Sequence, residues 1–254
     1  MPQDNTFVLT PQNFAGAVGN HAGTATINLA NWSLQLPVDA QGGTSGPATE
    51  VRPIGSYSHP TFFHPDGGGG LVLSAPVVGA KTAQATHTRT ELREMDHAKE
   101  AGWSVSQGGT LTAELAIGAV PRKADGTPAP VVIGQVHGKS DELCRLYYES
   151  GTVTFEDAHG GGAGGTGKFP LRDALGHQPR INLGETFDYV IKVGSGRLAV
   201  SVLAGGAAYS ASEPINPTWG SDRLYFKAGA YNQVGPPASG ASTLDFRQLT
   251  VSHP

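Results

Sequence analysis

No apolar repeat of helical period is sustained along this chain. Its hydrophobic residues fall into short runs that alternate with polar ones and stop at Gly, Pro, Asn or Asp. A pattern of period two that ends every few residues can cover one face of a strand, but it leaves a helix no continuous apolar stripe. Strands are therefore predicted at residues 26–29, 32–36, 71–76, 88–94, 111–117, 131–137, 143–149, 153–155, 187–193, 198–203, 224–231 and 244–251. The clearest hairpin joins 190–193 to 198–202 through Gly194-Ser195-Gly196. Short helical turns are expected only near 11–18 and 171–175.

Glycine, at 36 of 254 residues, is about twice its usual share and supplies the turns that so many strands need. About a dozen strands with no helix between them predict an all-β fold, a jelly-roll sandwich of two antiparallel sheets with a concave cleft. Neither an internal repeat nor a linker interrupts the sequence, so residues 1–254 are read as one domain acting as a monomer.

Several function classes are excluded. A net charge of −4 gives no general attraction to nucleic acid or an anionic membrane, so neither is expected as a partner and an anion must be held by a local cluster of cations. No stretch approaches the ~18 apolar residues of a membrane helix. Residues 1–20 lack a basic segment followed by an apolar one, so no secretory signal is read there, and a secreted or periplasmic protein after signal removal would look the same. The single cysteine, Cys144, lies among Leu143, Leu146 and Tyr148 and is read as a buried thiol, not a nucleophile. Residues 41–55 and 158–168 read as loops, the second dense enough in glycine to be a mobile lid. Its Gly162-to-Lys168 stretch imitates a phosphate-binding loop, but Phe169 stands where Ser or Thr is needed and Pro170 spoils the helix start.

Three segments put polar groups on a strand face. Alternation aligns Tyr225, Lys227, Tyr231 and Gln233 in one, Arg89, Glu91 and Arg93 in a second, and Gln135 and His137 in a third. Phenols, an ammonium, amides and guanidiniums are the groups that grip a polar, anionic, ring-shaped ligand. Glu91 between two arginines would fix both as a fork for a carboxylate, although the same charges could form a ladder on a solvated strand. Arg93, Lys227 and Arg145 are expected to form a cationic track. Histidines 59, 64, 87 and 177 are read as structural or surface groups, whereas His137 shares its face with Gln135. With no His-Glu-x-x-His, zinc-spaced Cys/His cluster or acidic calcium loop, no metal and no cofactor is expected.

Together these segments resemble the alginate lyases of polysaccharide lyase family 7. The patterns Arg-(Ser/Thr)-Glu-Leu-Arg, Gln-(Ile/Val)-His and Tyr-Phe-Lys-Ala-Gly-x-Tyr-x-Gln stand complete and in order at 89–93, 135–137 and 225–233. Trp32-Ser33-Leu34-Gln35-Leu36-Pro37 is similar to the family's N-terminal strand. The resemblance implies a β-jelly roll and a secreted or periplasmic enzyme that cleaves 1,4-linked uronate polymer by β-elimination, leaving unsaturated oligouronates. It makes Arg89 and Gln135 the neutralisers of the substrate carboxylate, His137 the proton acceptor and Tyr231 the proton donor. Arg93, Lys227 and Gln233, with Glu91 and Tyr225 beside them, become the substrate-binding set. Val136, between Gln and His, is associated in the family with a lean toward mannuronate-rich blocks.

The chemistry calls for such a set. Elimination takes the proton from C5 of a uronate and expels the glycosidic oxygen from C4, and the anionic carboxylate makes C5 a poor acid until its charge is offset. An ordinary histidine, with a pKa near 6.5, is largely neutral and basic at pH 7. A tyrosine is protonated there, and nearby cations are expected to lower the Tyr231 phenol. Two other readings fit the same residues: a lyase for glucuronan or another polyuronate, and a non-catalytic jelly-roll module that binds acidic polysaccharide. A glycoside hydrolase needs two carboxylic acids across the cleft, and only Glu91 could be nominated.

Overall fold

The computed structural model describes residues 27–161 and 165–254. In chain order its strands are β1 (Trp32–Gln35), β2 (Glu50–Val51), β3 (Phe63–Pro65), β4 (Leu71–Pro76), β5 (Arg89–Asp96), β6 (Lys99–Glu100), β7 (Gly109–Ala119) and β8 (Val131–His137). They continue with β9 (Glu142–Glu149), β10 (Thr152–Asp157), β11 (Gly167–Pro170), β12 (Thr186–Gly194), β13 (Arg197–Ala204), β14 (Ala207–Pro214), β15 (Tyr225–Asn232) and β16 (Ala241–Ser252). One sheet runs β11-β10-β9-β8-β15-β5-β1-β2, with β6 paired to β5, and the other runs β14-β13-β12-β7-β16-β4-β3. All these pairs are antiparallel. The sandwich predicted from period-two patterning is the one formed.

Alternate residues of both sheets meet in one core cluster. Phe226, Ala228 and Ala230 of β15 point into it, as do Leu92 of β5, Tyr189 and Ile191 of β12 and Phe246 of β16. Burying each large apolar side chain is worth about 1.5–3 kcal/mol, so face-to-face packing holds the sheets together. The odd-numbered residues of β15 are left on the outer face. Cys144 is fully buried, and burial raises its thiol well above the usual range, which leaves it unreactive.

Some local expectations are corrected. Residues 27–29 lie in no strand, while residue 26 and the turn expected at 11–18 fall outside the described residues. The segment 171–175 is not helical: the Asp173 carboxylate accepts the N–H groups of Leu175 and His177 at 2.9 and 2.8 Å, and Gly176, at φ 86°, reverses the chain. A 3-10 turn instead forms at Pro217–Ser221, where the Asn216 side chain accepts the Thr218 N–H. Residues 167 and 168, expected in the glycine loop, are paired with β10 through β11, and residues 162–164 of that loop are outside the described set. Strand β14 carries small or polar residues, half-exposed along most of its length, so it shows no alternation and owes its order to pairing with β13. The hairpin between β12 and β13 turns as expected, with Ser195 and Gly196 at φ 52° and 71°.

Strict alternation fails on β8, with consequences for the outer face. Val131 and Ile133 lie in the core, yet Gln135 and His137, at the same odd phase, join the side chains of the outer face. The register shifts between Val132 and Gly134 against β9, and between Ala228 and Tyr231 of β15 on the other flank, leaving Ile133 without a partner residue on either side. Such a bulge moves the side-chain phase by one residue. The opposite sheet secures it, because buried Tyr189 donates its hydroxyl to the Ile133 carbonyl at 3.1 Å. Gly134 makes room for that ring: a Cβ there would lie 2.9 Å from the Tyr189 hydroxyl and 3.3 Å from Ile191 Cδ1. Replacing Tyr189 by Phe strands the Ile133 carbonyl and is predicted to lower the unfolding free energy by about 1–3 kcal/mol in urea titrations. Gly134→Ala is predicted to be destabilising as well. Wild-type midpoints in both variants would contradict this account of the bulge.

Candidate active site

The three polar segments are neighbours in space because β8, β15 and β5 are adjacent strands of one sheet. In register, Tyr231 faces Arg89, Lys227 faces Arg93 on one side and Gln135 on the other, and Tyr225 faces His137. Side chains opposite one another across an antiparallel pair lie close enough to interact.

The floor of this face is a buried charge cluster around Glu91, which has 0% exposure. Its carboxylate accepts from Arg89 Nη1 at 3.0 Å and from the Gln135 amide, and pairs with Lys227 Nζ at 2.5 Å. Burial pushes the Glu91 carboxyl up, but Lys227 and Arg89, with hydrogen bonds from Lys227 and Gln135, outweigh it and hold the group below its usual range. Burial pulls Lys227 down to about 8 against the opposing pull of Glu91. Lys227 Nζ also donates to Gln35 Oε1 of β1 at 3.3 Å, so the N-terminal strand helps to close the floor.

Above the floor stand the aromatic and guanidinium groups. The Arg89 guanidinium lies 3.7 Å over the Tyr231 ring and that of Arg93 lies 4.1 Å over Tyr225. Tyr225 in turn stacks on His137, with centroids 5.2 Å apart and planes at 14°. Burial raises the Tyr231 phenol, with Arg89 only opposing it, so the expected lowering by cations is corrected: desolvation wins and the hydroxyl keeps its proton.

His137 carries a defined lone pair. Its Nδ1 lies 2.6 Å from the Gly138 carbonyl, an acceptor only, so Nδ1 holds the proton and Nε2 is free to accept one. Burial lowers its pKa, against the raising effect of the Gly138 hydrogen bond, and keeps the ring neutral at pH 7. Nε2 faces Glu142 Oε1 at 3.6 Å, a carboxylate placed to stabilise the imidazolium once a proton arrives.

The site residues named from the sequence, Gln233 excepted, thus gather on one face, at different depths. Arg89, Arg93, His137, Tyr225 and Tyr231 keep partial exposure, while Glu91, Gln135 and Lys227 are buried beneath them. Gln135 has its amide committed to Glu91 and its carbonyl oxygen buried without a hydrogen-bond partner. Gln233 lies past the end of β15 and turns its amide onto the carbonyls of Tyr231 and Asn232 at 3.4 and 2.9 Å. Glu91 does not hold both arginines, because Arg93 is bound by Glu100 of β6. The expected cationic track is corrected too: Lys227 is paired with Glu91, Arg93 with Glu100, and Arg145 with Glu142 and Glu156. Among the described residues, no group of three or more His, Cys, Asp or Glu is arranged to hold a metal ion.

Glu100 and Glu142 are the site neighbours that the sequence reading missed. Glu100 sits in a two-residue strand with no pattern of its own. Glu142 opposes His137 only because a register shift on β9 follows Val136, and no local signal announces that shift.

A family model described as "Alginate lyase" matches residues 27–253 of the chain. An alginate lyase of Klebsiella pneumoniae is 31% identical over 274 aligned positions covering 89% of each protein. The crystal structure of the alginate lyase from Klebsiella pneumoniae superposes with a TM-score of 0.78 at 29% identity, covering 90% of this chain and 97% of that one. An alginate lyase of Pseudomonas aeruginosa gives 0.71 at 28% identity over 89% of this chain and all of its own. A family 7 alginate lyase in complex with product gives 0.73 at 24% identity, a likeness of fold, over 92% of this chain and all of that one. With its jelly-roll sandwich, its three strand motifs side by side and a family match over nearly its whole length, the chain belongs to the alginate lyases of polysaccharide lyase family 7.

Proposed function

We propose that this chain depolymerises alginate by β-elimination on the outer face of the β8-β15-β5 strands, with a lean toward mannuronate-rich blocks. The observation that carries this reading is that one sheet face holds a neutral histidine with a free Nε2, and a protonated tyrosine under a guanidinium that a buried carboxylate fixes in place. The carboxylate at C6 of the uronate binds toward Arg89, whose remaining N–H groups offset the charge that builds as C5 loses its proton. Donors placed in this way are commonly worth about 3–4 kcal/mol each. Gln135, fully buried, supports Arg89 by holding Glu91, and it reaches the substrate carboxylate only when the packing above it parts.

His137 Nε2 takes the C5 proton, and Glu142 at 3.6 Å steadies the resulting cation. The C4–O4 bond breaks as the C4–C5 double bond forms, and the Tyr231 hydroxyl gives its proton to the departing oxygen. In guluronate the proton and the leaving oxygen lie on opposite faces, which demands two groups. In mannuronate they are syn, so Tyr231 can serve both steps once its own proton has passed to solvent, against the desolvation that holds it there, and the mannuronate lean itself rests on Val136 between Gln135 and His137. Val136 lies in the core, so its influence on block preference is indirect. Arginine supplies the neutralisation, and no step in this scheme calls on a metal. A polymeric substrate supports a secreted or periplasmic setting.

Release of ultraviolet-absorbing unsaturated oligouronates from separate polymannuronate, polyguluronate and glucuronan tests the reading. Cleavage of glucuronan alone would overturn it. Tyr231→Phe removes only the phenolic hydroxyl, and with it the proton to be donated, and is predicted to cost at least about a hundredfold in turnover on every alginate block. His137→Ala is predicted to harm polyguluronate cleavage more than polymannuronate cleavage. Near-wild-type turnover of Tyr231→Phe would assign the proton donor elsewhere.

The pH dependence follows from the same groups. The histidine must be neutral to accept a proton, and burial lowers its pKa, so the acid limb of kcat/KM on polyguluronate is predicted below the ordinary histidine value of about 6.5. Activity should be lost as pH falls through that limb. A limb clearly above that value would contradict a buried, neutral His137.

A further inference from the structure

The two arginines of the Arg89-Thr90-Glu91-Leu92-Arg93 run are held in opposite ways. Arg89 is tied to Glu91, a carboxylate with no exposed surface that two other donors also hold. Arg93 is tied to Glu100 by two parallel bonds, Nη1 to Oε1 at 2.7 Å and Nη2 to Oε2 at 3.0 Å. The Glu100 side chain is 52% exposed and the Arg93 side chain 16%, so the fork is shielded on the protein side and capped by a solvated carboxylate.

The cap stands on a light support. Glu100 belongs to the two-residue strand β6, which among the described residues pairs only with the end of β5. The hairpin tip between those strands is exposed at Asp96, His97, Ala98 and Lys99. A short terminal hairpin with few buried contacts lies at the low end of local stability. A second resting place is at hand, because Arg52 Nη1, on a 48% exposed side chain, lies 4.0 Å from Glu100 Oε1.

Arg93 is also where substrate would pass. Its guanidinium covers the Tyr225 ring, which stacks on His137. Together with Glu100, Lys139 and Arg223, Arg93 and Tyr225 line a cavity of about 690 Å³ continuing from the His137 end of the site. A uronate residue lying there would present the same group, a carboxylate, to the same fork. Resting on the lyase reading above, we propose that Glu100 is an internal stand-in for a uronate carboxylate: it occupies the Arg93 fork in the free protein and is displaced by the substrate chain. The protein thereby spends part of the Arg93 attraction on its own glutamate, which weakens hold on polymer at this position and eases release.

Binding and cleavage separate the two claims. An oligomannuronate hexamer titrated calorimetrically into Tyr231→Phe protein reads affinity without turnover, whereas unsaturated product from the wild-type chain reads the lyase assignment. In the Tyr231→Phe background, Glu100→Ala is expected to tighten the hexamer by about two- to fivefold, the range for an exposed ion pair, with Glu100→Gln giving part of the gain. In an added Arg93→Gln background, the Glu100→Ala gain should vanish. Unchanged or weaker binding in Glu100→Ala, a gain that survives loss of Arg93, or no hexamer binding by any variant would each overturn the proposal.

Discussion

One buried carboxylate sets the terms for everything on the outer face. Glu91 has no solvent to lean on, and a lone ionised carboxyl in that position would cost several kcal/mol. It is tolerated because Arg89 and Lys227 bring charge and Gln135 brings a hydrogen bond from three adjacent strands. The dependence is mutual. Lys227 is also buried, and without Glu91 its ammonium would have, among the described residues, only the amide oxygen of Gln35. The charges that make this sheet a poor core are thus the ones that lock β5, β15 and β8 in register, and they hold Arg89 still above Tyr231.

Desolvation has opposite uses on the two proton-handling groups. It lowers His137 and raises Tyr231, pushing both toward their neutral forms. A neutral histidine accepts a proton and a neutral phenol gives one, so a single physical cause prepares a base and an acid on one face of the sheet. The Gly138 carbonyl completes the arrangement by fixing which ring nitrogen is free.

What the sequence disclosed follows the regularity of each strand. On β15 and β5 the alternation is unbroken, so Tyr225, Lys227 and Tyr231, like Arg89, Glu91 and Arg93, were placed on one face by counting in twos. On β8 counting fails. Val131, Ile133, Gln135 and His137 share a phase, yet the bulge at Ile133 and Gly134 sends the first pair inward and the second pair outward, under the control of a tyrosine in the other sheet. No local window contains Tyr189 and Gly134 together. Depth was equally hidden, since alternation tells which face a side chain takes and not whether Lys227 is covered by its neighbours. Glu100 and Glu142 reach the site through a short hairpin and a register shift, both long-range consequences of pairing.

The central claim, that Glu91 and Lys227 are stable only together, is tested most directly by urea unfolding of Glu91→Gln beside Glu91→Gln/Lys227→Met. Removing the carboxylate alone leaves Lys227 buried without its anion, and the predicted loss is roughly 3–5 kcal/mol, as when one partner of a buried pair is removed. Removing both should recover a large part of that loss. A Glu91→Gln protein as stable as the wild type, or a double variant weaker than the single one, would contradict the account.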